Sequence, residues 1–224
     1  MNALNNKRIF SVEFLRIWAI IFIFIGHIGQ RYPEEIKLFS QYIFGVEYNN
    51  WWMGVELFFV IGGFFLFKRA NSTTSPYLLI KKTWLRLIPG MLFAFAICTI
   101  TANVGLFYLP SVLLLLGGTA MHAHVLAGGD WFIGAYFWIS CLIICLFCSL
   151  SRRSAFLVLG ILVYLAITIK INATVEKKGA WLDTYYTFIG TGICRGIYCM
   201  GLGVAAGLIS ENILFSRNWL SRIV

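Results

Sequence analysis

Apolar residues run through this chain in long blocks separated by short charged or turn-forming stretches. They show neither the alternation of a half-buried strand nor the one-sided stripe of a helix on a soluble core. Six blocks approach the roughly 20 residues that an α-helix needs to cross a hydrocarbon core: residues 9–29, 51–67, 87–107, 131–150, 155–171 and 189–209. A seventh, 109–126, contains Pro110, Gly117, Gly118, His122 and His124 and runs into Ala127-Gly128-Gly129-Asp130. Such punctuation leaves it open whether this block crosses, and the charge distribution below decides for a re-entrant or interfacial hairpin. The pattern predicts an all-α, polytopic transmembrane helical bundle of about six crossings, with that hairpin on the outer side. One integral membrane domain covers residues 1–224.

Charge supports this count. If 109–126 does not cross, twelve basic residues share one side: Lys7, Arg8, Arg16, Lys68, Arg69, Lys81, Lys82, Arg86, Arg152, Arg153, Arg217 and Arg222. The other side receives Arg31, Lys37, Lys170, Lys177 and Lys178. Short loops rich in Lys and Arg stay in the cytoplasm, so the expectation is a multi-pass protein of the cell membrane with both termini cytoplasmic. Trp51, Trp52, Asp130 and Trp131 then fall at the outer interface.

Composition agrees: 60% of residues are hydrophobic and 12% charged, against about half and about a quarter in soluble domains. A net charge of +9 would suggest nucleic acid in a soluble protein. Here the orientation bias accounts for it, and no nucleic-acid partner is expected. Lys7 and Arg8 precede an apolar stretch, but Glu13 and Arg16 interrupt it and no small-residue cleavage site follows, so the first helix is expected to be retained. All six cysteines lie within apolar blocks. Cys145 and Cys148 are spaced as CxxC but lack the polar neighbours of a redox or zinc site. His122 and His124, two apart, would point about 200° from each other on a helix. No metal site is expected, and no nucleotide-binding loop or hydrolase elbow is present.

Three places could carry chemistry. In Glu13-Phe14-Leu15-Arg16, the i,i+3 spacing allows an ion pair, and His27 follows Arg16 by nearly three helical turns, about 16 Å along the same face. Separately, Arg16 reads as a snorkelling anchor and His27 as an interfacial hydrogen-bonding residue; together they point to a lined cavity. Glu56 lies in the otherwise apolar 51–67 block and needs a partner or a proton. A carboxylate at similar depth to His27 suggests a general base whose imidazole it orients. Arg195, among glycines and small residues, suits either a counter-ion for Glu56 or Asp130 or a contact to an anionic or hydroxyl-rich ligand.

Taken in order, these motifs resemble acyltransferase family 3, integral-membrane acyltransferases that often modify cell-surface glycans. Glu13-x-x-Arg16 and the ten residues from Arg16 to His27 are similar to the family's (D/E)xLR and Arg/Lys-x10-His signatures. Gly54-Val55-Glu56-Leu57-Phe58-Phe59-Val60-Ile61-Gly62-Gly63-Phe64 resembles its GvdlFFvlSGF. Arg86-Leu87-Ile88-Pro89 resembles the end of RxxRxxP, Trp131-Phe132-Ile133 a WFL helix start, and Arg195 with Tyr198-Cys199-Met200-Gly201-Leu202-Gly203 a later segment. Thr83 replaces the first arginine of RxxR, Gly62 the serine, and Glu56 the commoner aspartate.

The resemblance implies transfer of an acyl group, acetyl in the first instance, from cytoplasmic acyl-CoA to a hydroxyl of a surface saccharide or lipid-linked glycan. His27 would be the catalytic base with Glu56 beside it. Arg16, Lys81, Lys82 and Arg86 would hold the donor's phosphates, with Glu13, Asp130, Trp131 and Arg195 as acceptor-side or structural groups. Acyl-CoA is a co-substrate, and no bound cofactor is implied. Family members usually have about ten crossings, so the expectation is a chain lacking the family's last helices: shortened, a fragment, or completed by homo-oligomerisation. Two other readings stand beside it, a transporter of small or lipid-linked substrates lined by Glu56, Arg195 and His27, and an inactive family remnant.

Overall fold

The structure, a computed structural model, describes residues 10–44, 53–70, 75–117, 130–176, 185–186 and 189–220. Eight α-helices follow in order among them: α1 Phe10–Arg31, α2 Pro33–Phe44, α3 Met53–Ala70, α4 Pro76–Ala102, α5 Leu109–Leu113, α6 Asp130–Ser149, α7 Arg152–Glu176 and α8 Thr191–Leu220. A single 3₁₀ turn, Leu106–Tyr108, precedes α5, and an antiparallel pair of two-residue strands, Tyr185–Tyr186 with Ile189–Gly190, precedes α8. The all-α expectation holds apart from this small pair. Among the described residues, five helices are long and apolar enough to cross a membrane, over Val12–Gly29, Pro76–Ala102, Trp131–Ser149, Arg152–Asn172 and Gly192–Glu211. The expected sixth, α3, has 18 residues and carries Glu56, Lys68 and Arg69. Its uncharged run, 57–67, is shorter than a full crossing.

The chain divides into two compact units, Met1–Ile61 and Gly62–Val224. In the first, α1 turns into α2 through Tyr32, whose N–H donates to the Ile28 carbonyl (2.8 Å) and whose carbonyl accepts from the Ile36 N–H (3.2 Å). Pro33 opens α2 because a first-turn residue needs no N–H, and Glu34 and Glu35 in that turn complement the positive helix end. α2 is an element the hydrophobic pattern did not announce: 12 residues long, it is too short to form an apolar block. The first turn of α3 packs on α1 at Gly54, where a Cβ would come within 2.5 Å of the Ala19 carbonyl oxygen. Phe14, Ile17, Ile20 and Phe24 of α1 remain exposed, as befits side chains for which lipid is the solvent.

In the second unit, small residues bring helices together, the usual means of helix packing in lipid. A Cβ on Gly63 of α3 would meet the Met200 carbonyl oxygen of α8 at 2.1 Å, and one on Gly201 would meet Val163 Cγ2 of α7 at 2.5 Å. Gly207 of α8 lies under the fully buried Phe67 ring. That ring packs edge-on against Phe147 of α6 and Phe156 of α7, and the Arg152 guanidinium lies 5.3 Å above it. Arg152 also pairs with Glu211 at 2.6 Å, tying the start of α7 to α8.

α4 begins at Pro76, eleven residues before the expected apolar block, with Ser75 extended and the proline in the first turn. Lys81, Lys82 and Arg86 end a hydropathy run but are good helix formers, so the helix runs through them. Between α4 and α6, no helix among the described residues is long enough to cross a membrane. Asn103 closes the helix in the left-handed region (φ 53°), and the Val104 N–H returns to the Cys98 carbonyl. Two indoles then hold the returning segment. Trp84 Nε1 donates to the Leu113 carbonyl (2.9 Å) and Trp138 Nε1 to the Leu115 carbonyl (3.1 Å). Trp84 lies about 27 Å before Ala102 along α4, so the segment runs back alongside the helix it has just left. Val112 and Leu115 there join Ile88, Met91, Phe95 and Phe137 in a buried cluster. The rest of the expected hairpin, with His122 and His124, lies outside the described residues.

Candidate functional site

In the second unit the last turn of α3 and the first turns of α4 enclose a cleft of about 420 Å³ lined by Leu66, Arg69, Leu79, Lys82, Thr83 and Arg86. The spacing is what a helix dictates: Leu79, Lys82, Thr83 and Arg86 recur at three- and four-residue steps and share one face of α4. Leu66 and Arg69, three apart, do the same on α3. Two leucines supply apolar walls and three cations supply charge, a combination suited to a ligand with an anionic head. Lys82 and Arg86, both expected in the site, line the cleft; Lys81, turned about 100° from Lys82, does not.

Thr83, which stands where the family motif has an arginine, is buried, and its hydroxyl donates to the Leu79 carbonyl of its own helix at 2.9 Å. Arg69, from α3, supplies a cation to the same cleft. In the sequence, Arg69 is one of the twelve basic residues expected on one side, with no role of its own. Its only signal is a basic residue in the last turn of an apolar helix, which is also what an interfacial anchor looks like. Lys68 beside it lies 4.5 Å over the Phe64 ring.

Arg86 is held from α6. Its Nη2 donates to the Tyr136 hydroxyl at 3.2 Å, and its guanidinium lies 6.0 Å from that ring's centre. The ring occupies the space over Gly62, where a Cβ would be 2.5 Å from Tyr136 Cε2. A serine in place of Gly62 would need the tyrosine to move.

In the first unit, Arg16 Nη1 donates to Glu13 Oε1 at 2.7 Å, the ion pair expected from the spacing. Arg16 is half-buried and His27 exposed on the same continuous α1. Both flank the stripe through which Ala19 and Gly26 are buried. Glu56 is half-buried in the first turn of α3, where a carboxylate also complements the helix dipole.

Arg195 is 5% exposed in the second turn of α8, between the buried Cys194 and Gly196. A turn earlier, Gly192 packs under the indole of Trp131, itself 5% exposed at the start of α6. Trp131 thus packs within this unit. Asp130 begins α6, and its side chain lies outside the described residues. Among the described residues no group of His, Cys, Asp and Glu could hold a metal ion.

No curated protein and no solved structure is similar enough to the chain to match it. The family model for acyltransferase 3, described as an acyltransferase domain, matches residues 9–224.

Proposed function

Because the chain belongs to acyltransferase family 3, we propose that it transfers an acyl group, acetyl in the simplest case, from acyl-CoA to a hydroxyl of a cell-surface saccharide. The observation that carries the donor half is the cleft in which Arg69, Lys82 and Arg86 converge over apolar walls. Guanidinium and ammonium groups are the usual partners of phosphate oxygens, and CoA carries phosphates on an otherwise partly apolar molecule. Arg16, steadied by Glu13, is assigned to the same donor. The positive-inside distribution assigns the cleft to the cytoplasmic side of the cell membrane, where acyl-CoA is made.

His27 is the proposed base. Its imidazole takes the proton of the acceptor hydroxyl as the oxygen attacks the thioester carbonyl. The carbon–sulfur bond then breaks, CoA leaves as the thiolate, and the proton taken up by His27 is available to it. The products are the ester and free CoA. Glu56 is assigned the role of stabilising the imidazolium, and Arg195 that of an acceptor-side or structural charge.

The test uses purified protein in lipid nanodiscs with labelled acetyl-CoA and a panel of surface glycans. His27→Ala should lower transfer by about 10²- to 10⁴-fold without shifting the thermal unfolding transition, and undiminished transfer would remove the histidine from the chemistry. Wild-type protein that never consumes acetyl-CoA while moving a solute across vesicles would replace the transferase reading with the transporter one.

A further inference from the structure

Arg86 sits on α4 at the cleft but is fixed by a tyrosine that lies outside the family-like motifs. An arginine side chain carries roughly 2 kcal/mol of rotamer entropy, which an anion must overcome each time it binds unless the protein has already done so. Here α6 delivers a tyrosine whose hydroxyl accepts from Arg86 Nη2 at 3.2 Å, with the ring 6.0 Å from the guanidinium carbon. Phe132, one turn earlier on α6, supports that ring at 6.4 Å. The ring also lies against Gly62, which leaves no room for a Cβ. The contact engages one of the five N–H donors of a guanidinium, and Arg86 still lines the cleft.

We infer that Tyr136 is a positioning residue that holds the Arg86 guanidinium ready for an anionic ligand, and that Gly62 is required because Tyr136 occupies the space its side chain would take. The inference deepens the donor-site reading and rests on it for the identity of the ligand, but not for the anion chemistry. It couples three helices at one hydroxyl: α3 through Gly62, α4 through Arg86 and α6 through Tyr136. It also predicts that two unlike substitutions on different helices give the same defect. Tyr136→Phe removes the acceptor oxygen and keeps the ring; Gly62→Ala keeps the tyrosine and pushes its ring aside. The obstacle to the new methyl is a side-chain ring rather than helix backbone, so displacement of Tyr136 relieves it.

The experiment measures binding of acetyl-CoA and of inorganic pyrophosphate to the full chain in nanodiscs by calorimetry, and acyl-transfer kinetics where turnover is present. Tyr136→Phe and Gly62→Ala should each weaken both probes by about fivefold, the worth of one net hydrogen bond, raising KM for the donor with kcat within about twofold. Neither should have an effect once Arg86 is glutamine, because contacting residues are non-additive. Gly62→Ala should add nothing in a Tyr136→Ala background, where the space is already free. Unchanged binding in Tyr136→Phe, or losses that add to that of Arg86→Gln, would overturn the inference. If wild-type protein binds pyrophosphate in a Tyr136-dependent way but not acetyl-CoA, the positioning role stands and the acyl-CoA reading falls. If it binds neither, both fall.

Discussion

A methyl group added at Gly63 would lie 2.1 Å from the Met200 carbonyl oxygen, and neither α3 nor α8 backbone can swing aside as the Tyr136 ring can. Gly63→Ala should therefore destabilise the fold by about 1–3 kcal/mol, the usual cost of overpacking, read as a lower unfolding temperature in nanodiscs. Ser140 invites the opposite change. It is fully buried on α6, and among the described residues its hydroxyl oxygen has no hydrogen-bond partner. Ser140→Ala removes a desolvated polar group and should leave the unfolding temperature unchanged or raise it. Legibility at this scale followed the range of the interaction. The Glu13–Arg16 pair could be read from an i,i+3 spacing, because one helix fixes it. Arg69 and Tyr136 could not, because their roles exist only once α3 and α6 have been brought against α4.

Among the elements, the hydrophobic blocks located α1, α3, α4, α6, α7 and α8, and they misjudged the ends wherever charge and helix propensity disagree. α4 is the clearest case: Lys81, Lys82 and Arg86 stop an apolar run without stopping a helix, and the cleft is built on those unannounced turns. α2 escaped because its 12 residues form no crossing. The segment after α4 was read as non-crossing from the distribution of charge, and the two indoles that seat its described part were invisible. Leu115 in that segment has φ 52° and is fully buried, a left-handed conformation costing roughly 1–2 kcal/mol outside glycine, which its packing and the Trp138 bond must offset. Trp138→Phe keeps most of the packing and loses the bond. Hydrogen exchange in residues 109–117 should quicken by about fivefold while α7 and α8 keep their protection; unaltered exchange would mean that packing alone seats the segment.

For the whole chain, orientation rests on charge: the basic ends of α3, α4 and α7 are assigned to the cytoplasm and α2 to the outer side. In a background without native cysteines, Glu35→Cys should react with a membrane-impermeant maleimide in intact cells, and Arg153→Cys only after permeabilisation. The reverse pattern would move the cleft to the wrong side for a cytoplasmic donor. The seat of Phe67 has a further consequence for how the protein is made. The ring arrives with α3, but its neighbours Phe147, Phe156 and Gly207 come from α6, α7 and α8. At about 5–20 residues per second, the ribosome reaches Gly207 on the order of ten seconds after Phe67. During that interval the Phe67 ring has none of these three neighbours. Biogenesis of this protein therefore has a vulnerable interval, which closes when α8 is inserted.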